Sequence, residues 1–175
     1  MEIKKELEIA VSTFCKMKRA MCEREGGPYD LAPMLHFKYG HLRTYCGMLL
    51  AGGDPVEMIP HAWERILEDG IPEFVMLMVE AYSSENVDNY RKGAMERDFK
   101  ENPESKVREA ITIQAVDIKT GRQMTGIVRY GYGDDGLPVF DEPSIGDCEG
   151  QALECRVPSI IGLCRDHTLK IGRVA

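Results

Sequence analysis

The sequence predicts an α+β fold: an N-terminal amphipathic helix and shorter helices packed on a small, mainly antiparallel sheet centred on a hairpin at residues 106–132. Two patterns carry that prediction. Apolar residues near the N-terminus recur at intervals of four and three, the spacing of one helix face. Further on, KVREAITIQAVDIKTGRQMTGIVRYGYG (Lys106 to Gly133) reads as two strands of similar length folded across the polar turn Asp117-Ile118-Lys119-Thr120-Gly121. Val107, Ile111, Ile113 and Ala115 share one face of the first strand, and Met124, Val128, Tyr130 and Tyr132 share one face of the second, so each arm has a side to bury. The chain has 175 residues with neither repeat nor linker, which suits a single domain over 1–175. A domain of this size can bury roughly 70% of its unfolded surface.

The first helix is marked by Ile3, Leu7, Ala10, Phe14, Met17 and Met21, widened by Val11 and Cys22; Lys4, Lys5, Glu6, Lys16, Lys18 and Arg19 are expected mostly outside that stripe. Gly26-Gly27-Pro28 ends it. The same heptads would also serve a homodimeric seam, although a stripe this short usually packs on its own sheet. Within Leu31–Gly53 a short helix over Leu42–Leu50 is expected. Asp54-Pro55-Val56-Glu57 looks like a helix start, with Asp54 as N-cap, and Pro60 breaks it so that a second helix runs from Pro60 to Glu68. Ile71–Ser83 fits helical spacing at Phe74, Leu77, Met78, Ala81 and Tyr82, and equally a strand buried on both faces; its position before the hairpin favours the strand. A short helix over Val87–Arg97 is expected, then a loop through Pro103. Leu137–Gly150 reads as loop, and Ala152–Val157 and Ser159–Cys164 as two short strands.

Composition bounds the function. Hydrophobic residues make up 43% and charged residues 29%, close to the soluble globular average, which argues against wholesale disorder. The longest apolar run, Phe74–Val79, is far too short to span a membrane. The opening MEIKKELEIAV mixes charged and apolar residues rather than separating them, so it does not read as a secretory signal, and a cytoplasmic location is expected. In that reducing setting the six cysteines are expected to be free and mostly buried. A net charge of -7 argues against direct nucleic-acid binding. Between Gly133 and Cys155 stand Asp134, Asp135, Asp141, Glu142, Asp147, Glu149 and Glu154 with no Lys or Arg.

Each candidate constellation has a plainer reading beside it. Cys148, Cys155, Cys164 and His167 offer a soft donor set for zinc, yet their spacing resembles a CCCH finger only loosely, and apolar neighbours read them as core cysteines. His61 and Glu64 would share one helix face as metal ligands do, while Trp63, Ile66 and Leu67 mark that helix as an ordinary amphipathic one. Glu80 extends the apolar run Phe74–Val79, and a carboxylate withdrawn from water there gains a raised pKa suited to acid–base work. The plainer reading has it solvated or paired with Arg108 or Arg129. Gly131–Gly136 runs into acids that would repel phosphate.

Two functional expectations follow. The first is a small cytoplasmic interaction protein, with homodimerisation as an option, whose acidic loop 133–155 contacts a basic protein partner, chiefly through Asp134, Asp135, Asp141, Glu142, Asp147 and Glu149, and needs no cofactor. The alternative is a metal-dependent hydrolase using Glu80 with a His/Cys zinc site.

Overall fold

Helix α1 spans Glu2–Glu25 in the computed structural model, which describes residues 2–39, 42–47, 72–84, 94–147 and 152–154. The glycine pair stops it as expected: Gly26 takes a positive φ of 75°, and the Gly27 N–H reaches back to the Cys22 carbonyl at 3.0 Å. This is the bond that satisfies an orphan carbonyl after a left-handed cap. Ile3, Leu7, Ala10 and Phe14 are buried as the stripe predicts, whereas Met17 and Met21 are only half-buried. The buried line instead continues Phe14–Lys18–Cys22. Steps of four advance about 40° around a helix, so the buried face winds past the heptad positions. Lys18 and Glu6 therefore correct the expectation that they lie outside the stripe, because both are buried.

The hairpin forms where the alternation placed it. Strands β4 (Arg108–Asp117) and β5 (Gln123–Tyr132) are joined by a turn in which Asp117 Oδ1 accepts from the Lys119 and Thr120 N–H groups at 2.9 and 3.0 Å, and Gly121 supplies the positive φ. The rest of the sheet is antiparallel throughout. Strand β1 (Met34–Tyr39) pairs with β2 (Leu42–Gly47) and with β3 (Phe74–Ser84), and β3 pairs with β4, giving the order β2-β1-β3-β4-β5, with β6 (Pro138–Phe140) beyond β5. Within the ambiguous stretch Ile71–Ser83, the residues from Phe74 onward are strand. Leu42–Gly47 is a strand too, which corrects the expected helix over Leu42–Leu50: so short a helix is marginal alone, and pairing with β1 outcompetes it. Of the helix expected at Val87–Arg97, residues 87–93 lie outside the described residues, and α2 (Ala94–Glu101) covers the rest and runs on, held ahead of Pro103 by Asp98, which accepts from Asn102 and from Ser105 at 2.9 and 2.6 Å. Strand β8 (Ala152–Glu154) pairs with the end of β3. The described fold is therefore mixed α+β, with strands dominant and helices few.

Leu137–Gly150 is not simply loop. Strands β6 (Pro138–Phe140) and β7 (Ser144–Asp147) both pair with β5 and together make one sheet edge. Phe140 lies opposite Tyr130 and Ser144 opposite Ile127, so Asp141-Glu142-Pro143 faces only Val128-Arg129. That one-residue excess is a β-bulge, which breaks the alternation a sequence reader relies on.

Helix α1 covers one face of the sheet, where Leu7 and Phe14 meet Met76, Met78, Ile111, Ile113, Met124 and Val128. A homodimeric seam along this stripe would need residues already buried in their own chain. Gly126 permits the close approach, since a Cβ there would stand 2.9 Å from Val11 Cγ2. Leu35, Val75, Leu77, Val79, Thr112 and Ile127, on the opposite face, are also buried, which explains why β3 reads as a continuous apolar run.

Candidate functional site

Two charged features stand out, one inside the core and one on the sheet edge. Inside, α1 carries Lys18 to a side-chain exposure of 0%, and β3 brings Glu80 to meet it, Nζ to Oε1 at 2.6 Å. The ammonium also donates to the Tyr29 carbonyl, lies 3.9 Å from Asp30 Oδ1, and sits 4.8 Å from the centroid of the Tyr130 ring. Glu80 is equally committed: Oε2 accepts from the Leu31 N–H at 3.0 Å, and Oε1 accepts from the Tyr130 hydroxyl at 3.2 Å. Its partners are thus Lys18, Tyr130 and the Leu31 backbone, where sequence reading suggested Arg108 or Arg129; Arg129 turns instead to the Ser83 hydroxyl at 3.1 Å.

Burial is the largest influence on the Glu80 carboxyl and pushes it above the ordinary carboxylate range, against the pull of Lys18. Burial would lower Lys18, but the hydrogen bond and charge of Glu80 hold it above its usual value. The Tyr130 phenol is driven upward by burial and by the neighbouring Glu80 and Glu109 charges, so it serves Glu80 as a donor. Glu109 is itself raised by burial. Chemically this cluster ties α1, residues 29–31, β3 and β5 together. A carboxylate so fully engaged has little lone-pair capacity left for a reactant.

A second buried pair works with opposite polarity. Lys38 on β1 meets Glu6 of α1 at 2.9 Å, with Lys38 placed 5.4 Å from the Phe74 ring centroid. Sequence reading missed Lys18 and Lys38 as partners because a hydropathy pattern discounts charges. The usable signal was positional: Lys18 stands midway between Phe14 and Cys22 at steps of four, and Glu80 continues an apolar run, so each needed a counter-charge.

On the surface, Asp134, Asp135, Asp141, Glu142 and Asp147 are all exposed. Asp134 and Asp135 sit in the β5–β6 turn, where Asp135 Oδ1 accepts from the Leu137 N–H at 3.0 Å; Asp141 and Glu142 form the bulge, and Asp147 ends β7. They follow one edge of the sheet. Arg122 reaches Asp147 only at 4.0 Å.

His61, Glu64, Cys148, Glu149, Cys155, Cys164 and His167 lie outside the described residues. Among the described residues no three His, Cys, Asp or Glu side chains gather as a metal-binding group. No described helix is long and apolar enough to cross a membrane. Comparison with known proteins finds no matching family model, curated protein or solved structure.

Proposed function

We propose that the chain is a small cytoplasmic interaction protein whose acidic sheet edge receives a basic surface of a protein partner. The observation that carries this reading is the run of exposed carboxylates, Asp134, Asp135, Asp141, Glu142 and Asp147, along β6, β7 and their turns. Like charges gathered on one edge raise the local potential and steer a positively charged partner, setting on-rate and orientation more than affinity. The bulge and Pro143 interrupt the regular ladder that an added strand would need, so the contact runs through side chains. Edge acids also discourage strand-to-strand aggregation, a role compatible with recognition.

The test is anisotropy titration of a fluorescent lysine-rich peptide against three forms of the chain. In one, the five edge acids become Asn or Gln. In the other, Glu23, Glu25, Glu73, Glu101 and Glu104, which are also exposed, become Gln. The edge variant should bind about tenfold more weakly while the control keeps native affinity. Equal losses in both would reduce the effect to bulk charge and overturn the proposal.

A further inference from the structure

Beside the acidic edge, α1 and the bulged strand do not close on one another, and an open groove of about 380 Å³ runs between them. Its surface is mainly apolar, with Val11 and Cys15 from the helix facing Phe140, Pro143 and Ile145 from the edge. The bulge makes this wall. Phe140 and Ile145 are an odd number of residues apart, so a regular strand would point them to opposite faces; the extra residue turns both towards α1.

We infer that this groove seats an aliphatic side chain, such as Leu or Met, from a basic segment of the partner that the acidic edge attracts. This inference rests on the proposed role of the edge. Charge complementarity selects the occupant: among the described residues, the rim carries Glu8 on the helix side and Asp141 on the edge side against one lining cation, Lys16, and Glu142 follows immediately in the bulge. An apolar side chain flanked by Lys or Arg matches that pattern, with the anchor desolvated at the centre and its charges at the rim. The edge supplies attraction, and the groove supplies affinity and register.

The experiment uses two fluorescent lysine-rich peptides identical except for a central Leu or Ser. With the native chain the Leu peptide should bind about tenfold to a hundredfold more tightly, the range expected for burying one aliphatic side chain. Ser12 is exposed and lines the groove, so Ser12→Trp fills it from the helix without entering the core. That variant should erase the difference between peptides while keeping the salt-dependent binding of both. Methyl resonances of Val11 and Ile145 should shift with the Leu peptide only, a readout independent of any variant. Equal affinities in the native chain, or a difference that survives Ser12→Trp, would overturn the groove inference and leave the edge reading standing. Failure of both peptides to bind would overturn both.

Discussion

Replacing Lys18 with Met keeps the aliphatic stem packed in the core and removes only the ammonium. Glu80 is then left with a side-chain exposure of 14% and no counter-charge. Removing one partner of a buried ion pair typically costs about 3–5 kcal/mol. Here Glu80 keeps the Tyr130 hydroxyl and the Leu31 N–H, which places the loss near the lower end, at about 3 kcal/mol. Urea denaturation at pH 7, read as a shift in midpoint at unchanged m, measures it. The variant also acquires a pH signature. Without Lys18 to pull it down, the Glu80 carboxyl rises further above its unfolded value. Between those two values the folded chain holds a proton that the unfolded chain releases, so stability falls as pH rises through the window. The deficit should therefore shrink as pH is lowered towards the ordinary carboxylate range. Adding Glu80→Gln should recover much of the loss at pH 7. A loss below about 1 kcal/mol, or a double variant no more stable than the single one, would refute the reasoning that the pair compensates itself.

Two further outcomes follow from the packing. Gly126→Ala puts a Cβ against Val11 and should cost about 1–3 kcal/mol in the same denaturation assay, with part of the loss recovered by Val11→Ala; a neutral result would mean α1 has room to move. The Cys15 thiol is pushed up to about 11 by burial, so its reaction with a disulfide reagent at pH 8 should be much slower in the native chain than after denaturation, and should keep accelerating towards that pH; equal rates would place it in water.

How legible these features were depended on whether one periodicity held long enough. The 106–132 hairpin could be read because both arms alternate and Asp117–Gly121 has turn chemistry on its own. Strand β3 was ambiguous because both its faces are buried, which removes the alternation that separates strand from helix. Strand β2 was read as helix because its commitment to β1 is a tertiary contact. The pieces β6 and β7 are three and four residues long with a bulge between them, so no period survives across them. Glu80 is visible in the sequence as a carboxylate that continues an apolar run. Its partner is not, because Lys18 lies far away in the chain and looks like a surface charge until the winding of α1 is known. The acids of the edge were visible as a run, but the groove beside them depends on the bulge and could not be.

The central claim, that the acidic edge steers a basic partner, is tested most directly by the association rate of a lysine-rich peptide, measured by stopped flow from low to high salt. The native chain should associate at least about tenfold faster than the variant lacking the five edge acids at low ionic strength. The two rates should converge as salt shortens the screening length to about 8 Å and below. A native rate that ignores salt, or that equals the variant's at every ionic strength, would contradict the account.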